Sequence, residues 1–359
     1  IDAVVISAGS IEASDKKRAT TLLTPIDIYT TAGANGQVTA ALETLPGVQK
    51  IGETEGLFVR GGTGTETKFF MDGNLVNNFF GNSIPGIKSM DRLNTSLFKG
   101  NVFSSGGYSA VYGQALSSVL ALESIDFPER NSIDLGISPI FVTVGFQNVD
   151  DEKTKSFGIS ASYSNLGLMT KVIKFNNTFT KAPESFGTNF NFRIKNKNGG
   201  ILKYYGSFDT NKIGLQEESL EPNIDFDNTN LTGQNTFHNL SFKQKFGKYL
   251  LNLGGSYTFN SNIIDLNSIE QNIEINPNTI QVKGNYFNAK ATLERKINKI
   301  SAIRSGIEFN QTNETTEVAL SPNAIDFKDG ITSVFAETDL GFSNNFSAKV
   351  GLRSEYSTA

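Results

Sequence analysis

From Pro128 onward the chain is written in a two-residue period. Phe157, Ile159, Ala161 and Tyr163 alternate with Ser156, Gly158, Ser160, Ser162 and Ser164, and Phe190, Phe192 and Ile194 alternate with Asn189, Asn191, Arg193 and Lys195. Successive side chains of a strand point to opposite faces, so each such segment has one apolar and one wet face. A soluble sandwich also makes strands of this kind, but its apolar faces meet in a core built largely from Val, Ile and Leu. Here the apolar face is rich in aromatics, in a chain with 28 Phe and 10 Tyr. Aromatics facing outward, with hydroxyls, amides and charges facing a lumen, are the pattern of an antiparallel membrane barrel.

Composition narrows the classes further. No run approaches the roughly 20 consecutive apolar residues of a membrane helix, whereas a barrel strand needs only about 9 to 11. A mean hydropathy of -0.23 is therefore compatible with a barrel. The 359 residues include no Cys and one His, which removes disulfides and thiolate chemistry and suits an envelope protein. A net charge of -4 without a basic patch makes nucleic acid an unsuitable partner. No charged n-region and apolar h-region follows Ile1, so any signal peptide is expected to have been removed already or never to have been there.

Residues 1–127 follow a different rule. Ile1–Ala8 is a short β-branched stretch before a polar segment, readable as the first strand of a domain or as a free strand able to pair with another protein's sheet edge. Val38, Ala41, Leu42 and Leu45 have helical spacing, and Pro46-Gly47 stops the helix. Leu57-Phe58-Val59, Phe69-Phe70-Met71 and Ser117–Glu123 read as strands, with Asp72-Gly73 as a tight turn. The result is a small, Gly-rich α/β body. Arg60-Gly61-Gly62-Thr63-Gly64 lacks the Gly-Lys-Ser/Thr ending of a phosphate loop and is read as a backbone bend. Arg60 is either an ion-pair anchor or a solvated charge.

At this point the residues resemble a family. Asp2, Ala3, Val4, Val5, Ile6, Ser7 and Ala8 look like a TonB box. Leu45-Pro46-Gly47-Val48, Val59-Arg60-Gly61-Gly62, Met71-Asp72-Gly73, and Tyr112-Gly113 with Ser118-Val119-Leu120 match, in order and spacing, the plug of TonB-dependent outer-membrane receptors. The fingerprint residues are thus Arg60, Gly61, Gly62, Asp72 and Gly73. The Tyr112 region departs from the form most typical of starch-utilisation transporters, which argues against glycan import. The resemblance implies residues 1–15 as a TonB-box-like segment, 16–127 as an α/β plug, and 128–359 as part of an all-β barrel of the 22-stranded type.

Strands are predicted at Ile133–Gln147, Ser156–Leu168, Phe186–Lys197, Leu202–Asp209, Thr236–Phe246, Tyr249–Asn260, Ile280–Leu293, Ala302–Asn310, Ser333–Phe342 and Phe346–Tyr356. Gly247-Lys248 and Asn198-Gly199-Gly200 are read as tight hairpins, and the polar stretches Lys212–Gln234 and Asn260–Asn278 as long outer loops. Apolar residues change parity inside Ile280–Leu293, which predicts a β-bulge near Tyr286 or a concealed turn. About ten strands cannot enclose a plug domain, since plugged barrels have about 22. The residues are therefore expected to be the N-terminal part of a longer barrel.

Inward parity places Glu294, Glu308 and Glu355 on the wet face with Lys195, Lys203, Lys349 and Arg353. The resemblance implies that one of these glutamates pairs with Arg60; otherwise they are solvated lumen charges. It also places substrate contacts at the plug apices, pointing to Glu53, Thr54 and Glu55, and to Asn77, Asn78, Phe79, Phe80 and Asn82. Phe79 and Phe80 have the alternative of simple packing. His238 shares its parity with Leu240, Phe242 and Phe246 and so faces the membrane interface. No catalytic set, cofactor motif or metal cluster can be assembled, and Asp225, Asp227 and Asn228 lack the Gly and Glu of a calcium loop. The expected partners are outer-membrane lipid, a TonB-type energy-transducing protein, a small ligand, and a surface lipoprotein or larger envelope assembly. The expected function is import of a scarce ligand such as a siderophore, another metal complex or a small organic molecule across a Gram-negative outer membrane. A docking role without transport is the alternative, and a soluble β-rich adhesin or enzyme is a third class.

Overall fold

A computed structural model describes residues 21–49, 56–81, 89–174, 178–298, 301–321, 323–342 and 347–359. The TonB-box-like segment Asp2–Ala8, the candidate contacts Glu53, Thr54 and Glu55, and Asn82 lie outside these residues.

The N-terminal unit runs through β1 (Thr21–Leu23), α1 (Pro25–Thr30), α2 (Val38–Leu42), β2 (Val48–Gln49), β3 (Phe58–Val59), β4 (Thr67–Met71), β5 (Asn74–Leu75), β6 (Phe98–Ser104) and β7 (Ser118–Ser124). Five strands form a mixed sheet ordered β1-β6-β7-β4-β5, with β4 parallel to β7 and the other pairs antiparallel. α1, absent from the sequence reading, begins at a capping box in which the Thr24 hydroxyl accepts from Asp27 N and the Asp27 carboxylate accepts from Thr24 N at 2.8 Å. α2 buries all five of its residues. Asp72 and Gly73 both take positive φ, 51° and 91°, which is the turn that joins β4 to β5 with Met71 facing Asn74. Leu42, Leu57, Val59, Phe69, Met71, Phe98, Phe103, Leu120 and Leu122 build the core, and Tyr205 and Phe237 of the second sheet complete it.

That second sheet contains β8 (Ser132–Ile137), β9 (Phe141–Val149), β10 (Lys155–Asn165), β11 (Thr178–Lys195), β12 (Ile201–Glu218), β13 (Phe226–Phe246), β14 (Tyr249–Glu270), β15 (Ile273–Lys296), β16 (Ala302–Val318), β17 (Ile325–Gly341) and β18 (Ser347–Ser357), with a one-turn helix α3 (Met169–Val172) after β10. Neighbours in sequence are neighbours in space, all antiparallel, from β8 at one edge to β18 at the other. The described strands therefore number eleven, because Ser138-Pro139-Ile140 splits the predicted Ile133–Gln147 strand into a hairpin closed by Ser138 N donating to Phe141 O at 2.8 Å. Pro139 has no N–H to give a ladder.

Two further expectations are corrected. Most of Lys212–Gln234 and Asn260–Asn278 is strand rather than loop: β12 and β13 are joined across residues 219–225, and β14 and β15 across Gln271 and Asn272, at φ 49° and 65°. β13 and β15 reach 21 and 24 residues, about twice the 9 to 11 that span a bilayer. Beyond the bilayer the outer face has no need to be apolar, so alternation fades while the ladder continues. The bulge expected near Tyr286 does not exist either, since β15 pairs with β16 without a shift from Ile280 to Lys296. Phe287 and Leu293 face outward, whereas Asn288, Lys290, Thr292 and Glu294 are buried on the inner face. Ile280, Val282 and Tyr286 share the inward parity, so the apolar residues change face within one regular strand.

The outward face keeps exposed Phe157, Ile159, Phe190, Leu240, Leu253, Phe287, Ile307 and Phe309. Tyr249, covered by Arg295 at 5.6 Å, marks the end with the Gly247-Lys248 turn. Eight residues along β14, Tyr257 stacks on His238, whose Nδ1 shares a hydrogen bond of 2.7 Å with the Tyr204 hydroxyl oxygen. At about 3.3 Å per residue, tilted by about 40°, these aromatic levels stand about 20 Å apart, near the height of an outer-membrane apolar band.

Candidate functional site

The functional chemistry concentrates where the N-terminal unit meets the inner face of the eleven-stranded sheet. From the end bearing Gly247-Lys248 towards the opposite end, the inner face changes from charged, to amide-rich, to apolar, where Ile213, Leu215 and Leu231 cluster.

The charged level has two parts. Asp126, just after β7, lies 2.7 Å from both Lys99 and Lys203, while Lys99 is also 3.2 Å from Glu123. Burial works against the Asp126 carboxylate, but the two ammonium groups prevail and hold its pKa at about 2. Lys99 is shifted up despite burial, through Glu123 and Asp126. Lys203 also donates to Ser124 O at 2.9 Å, and Arg193 to Ile125 O at 3.0 Å. The exit of the N-terminal unit is thereby tied to β11 and β12.

The second part lies on β15 to β18. Arg304 meets Glu337 at 2.5 Å and Asp339 at 2.6 Å, Arg353 meets Glu308 at 2.8 Å and Glu355 at 2.5 Å, and Lys290 approaches Glu308 at 3.7 Å. The N-terminal unit docks on this cluster through residues 109–111. The Ser109 hydroxyl and the Ala110 N–H both donate to Glu337, at 2.9 and 2.8 Å, and Lys290 donates to Val111 O. The Lys290 ammonium also stands over Phe70, Tyr112 and Phe335, at 5.3, 5.5 and 5.6 Å from their centroids.

At the amide level, Asn74 Nδ2 donates to Asn239 Oδ1 at 2.8 Å and to Leu240 O at 3.1 Å. Leu75 is held from both sides, its N–H by Asn288 at 3.3 Å and its carbonyl by Ser256 at 2.5 Å. Gly254 makes this seat possible, because a Cβ there would collide with the Asn74 amide. Further up, Arg92 bridges Asp209 at 2.8 Å and Asn78 O at 2.7 Å.

The sequence-derived candidates are distributed unevenly over this interface. Arg60 is exposed in a turn at φ 51°, with Gly61 at 83°, and lines an open hollow of about 440 Å³ with Gly62, Glu66, Gly106 and Gly107. It pairs with none of Glu294, Glu308 and Glu355, so that ion pair is withdrawn. Glu294 faces Arg304 at 3.9 Å, and the other two take Lys290 and Arg353. The reason is local: β15 to β18 place cations on the same inward face as the carboxylates, and these neutralise one another within the sheet.

Asp72 receives Ser124 N at 2.9 Å and so joins β5's turn to the Asp126 anchor. Phe79 is buried and stacks on Phe69 at 4.2 Å, with Phe80 edge-on to both, so these rings pack in the N-terminal core. Asn77 and Asn78 are half-buried beside them, Asn78 at φ 50°. Asp225 and Asp227 accept from Gln271 N and Ser268, at 2.8 and 2.7 Å, and thus brace the outer hairpins. Residues missed from sequence include Arg92, Asp126, Asn74, Asn288, Arg304, Glu337 and Asp339. The inward parity that singled out Glu308 would also have found Arg304, Glu337 and Asp339.

No protein-family model and no curated protein matches the sequence. Solved structures do match. A mutant of the ferric enterobactin receptor PfeA from Pseudomonas aeruginosa superposes with a TM-score of 0.68 at 12% identity, over 98% of this chain and 59% of that one. The pyoverdine outer membrane receptor FpvA from the same species, bound to pyoverdine, gives 0.66 at 9%, over 89% and 54%. A double mutant of the Serratia marcescens hemophore receptor HasR, with its hemophore HasA and heme, gives 0.64 at 12%, over 95% and 52%. The chain has the fold of TonB-dependent outer-membrane receptors. It spans between 52% and 59% of the length of these three receptors. At such identities the likeness is one of fold, and the ligands in those descriptions belong to those proteins.

Proposed function

We propose that this chain acts in TonB-dependent import of a scarce ligand across the outer membrane of a Gram-negative bacterium, with residues 16–127 as the movable plug and 128–359 as part of the wall. The observation that carries this reading is the character of the interface. Among the described residues, the core of the N-terminal unit takes only Tyr205 and Phe237 from the wall, and the unit is otherwise held there mainly by polar groups at Asn74-Leu75, Arg92, residues 109–111 and Ser124–Asp126. Polar contacts can be exchanged for water when a unit is displaced, whereas a fused apolar core would have to unfold. Such an interface suits a gate that is moved and reseated.

In this reading Asp2–Ala8 offers its backbone to a TonB-type protein by strand pairing. Force transmitted from the inner membrane displaces the plug, since the outer membrane has no ATP. Ligand binding biases the exposure of that segment through its different affinity for the two plug states. The ligand falls among siderophores, other metal complexes and small organic molecules. Deleting Asp2–Ala8 is expected to abolish energy-dependent uptake, and binding to a TonB C-terminal domain, while leaving membrane insertion intact. Unchanged uptake and unchanged binding would overturn the import reading in favour of a docking role.

A further inference from the structure

On the outward face, aromatic side chains form one row from β11 to β18. Phe208 on β12 lies two residues nearer the Gly247-Lys248 end than Phe186 on β11, and Tyr257 and Phe287 on β14 and β15 lie two nearer again. After a further step of two, Phe309 and Tyr356 flank Thr332 of β17. Steps in a single direction are what tilted strands give when the row itself lies level in the bilayer. The row is therefore the aromatic girdle at the end opposite Gly247-Lys248. Lys212 stands four residues beyond Phe208 on the outward face of β12, Lys283 four beyond Phe287 on β15, and Lys328 four beyond Thr332 on β17. At about 3.3 Å per residue and a tilt of about 40°, four residues place each of them about 10 Å above the girdle. Lys181 of β11 joins this group: it pairs with Gly214, two residues beyond Lys212, and a Cβ on Gly214 would lie 3.0 Å from Lys181 Cβ, so both lysines leave the same face.

These cations are confined to one height. Beyond them, residues 213–235 and 258–282 contain eight Asp and Glu and no Lys or Arg, and the chain as a whole carries -4, so the row is no share of a generally cationic surface. The carboxylates nearest the row are engaged with hydroxyls. Glu184, opposite Lys212, accepts from Tyr163 at 3.2 Å, and Asp326, two residues beyond Lys328, accepts from Thr315 at 2.7 Å. Among the described residues, Lys283 alone of the four lysines has an ion pair, with Glu317 at 3.9 Å, and both of those side chains are open to solvent. The row continues the lipid-facing band directly, and a lipid whose acyl chains lie against that band holds its head group at the height of the row. An ammonium on a flexible stem binds phosphate as a point charge, and cations at this distance from the acyl boundary are drawn to anionic head groups.

We propose that Lys181, Lys212, Lys283 and Lys328 form a belt that binds the phosphates of an outer-leaflet glycolipid whose acyl chains lie on the aromatic band. The inference rests on the outer-membrane placement in the import reading and is independent of transport. The test titrates the full chain in mixed detergent micelles with bisphosphorylated lipid A, with the same lipid after removal of both phosphates, and with inorganic phosphate. Lys212→Gln, Lys283→Gln and Lys328→Gln are each expected to weaken the phosphorylated lipid about 5-fold, and the triple variant about 100-fold. The dephosphorylated lipid is expected to bind the parent more weakly and the variants no differently from the parent. Lys248→Gln, in the exposed turn at the opposite end, is expected to change neither. Where circular dichroism shows that the triple variant does not fold, the single variants decide. Equal binding of the two lipids by the parent, unchanged binding in the folded lysine variants, or an equal loss in Lys248→Gln would each overturn the proposal. Inorganic phosphate binding as tightly as the lipid would assign the row to a free anion and overturn it too. Failure of the import reading has a different signature: the phosphorylated lipid still binds, yet uptake survives deletion of Asp2–Ala8.

Discussion

Replacing Glu337 by Ala should loosen residues 109–111 from the wall while leaving the core of the N-terminal unit intact. Glu337 is buried at 4% exposure and is the one side chain that receives both the Ser109 hydroxyl and the Ala110 N–H, at 2.9 and 2.8 Å. Hydrogen bonds to a charged acceptor contribute about 1.5 to 3 kcal/mol each, so the two together amount to roughly 3 to 6 kcal/mol if fully lost. Local relaxation and water entry recover part of this, which leaves about 3 kcal/mol for the seating of this segment. Arg304 keeps Asp339 at 2.6 Å, so the substitution does not strand that guanidinium. Because the Ala110 amide itself is a donor to Glu337, hydrogen exchange at Ala110 reads the effect directly. About 3 kcal/mol corresponds to exchange faster by about two orders of magnitude. Ser109→Ala, which removes one of the two bonds, should give a smaller acceleration. Unchanged exchange at residues 109–112 in Glu337→Ala, with destabilisation confined to β16 to β18, would refute the assignment of Glu337 as the wall's hold on this segment.

Two other perturbations follow from the seating. The Asp126 carboxylate is held at about 2 against an ordinary value of 3.8, so its stabilisation is complete above about pH 4 and is lost as pH falls towards 2. With that side chain 36% exposed, solvent screening reduces the contribution to on the order of 1 kcal/mol. Thermal unfolding of Asp126→Asn should show a flatter pH dependence than the parent between pH 4 and 2, and equal slopes would contradict the Lys99 and Lys203 account. Gly254→Ala should drive the Asn74 amide from its place and break the bond to Asn239, at a cost of about 1 to 3 kcal/mol. Faster exchange across Asp72–Val76 checks it, and unaltered exchange there would remove Asn74 from the seating contacts.

Local features were legible from sequence wherever the cause was local. Asp72-Gly73 needed two positive φ angles and adopts them. The Gly247-Lys248 turn joins Phe246 directly to Tyr249 as expected. The alternations of β10, β11 and β13 mark their outward faces correctly, and His238 falls on the outward aromatic face beside Tyr204 and Tyr257. Strand ends were not legible, because ladder hydrogen bonding outlasts the bilayer and the polar ends of β12 to β15 carry no alternation. Arg60 misled for a related reason. Its sequence neighbours specify a bend, but whether a carboxylate is within reach depends on which cations share the rows of Glu294, Glu308 and Glu355.

The sequence by itself determined that an α/β unit is followed by antiparallel strands with aromatic outer faces, since φ requirements, capping and two-residue periodicity act within a few residues. Only the tertiary structure decided which inward groups satisfy one another and which do not. Lys290, Arg304 and Lys349 found carboxylates on the next strand, about 4.8 Å away, and Arg353 reached across one strand to Glu308. The side-chain oxygens of Asn235, Thr258 and Asn260 found no protein hydrogen-bond partner among the described residues. Those outcomes depend on register between strands and on where the N-terminal unit comes to rest, quantities to which no stretch of a few residues has access.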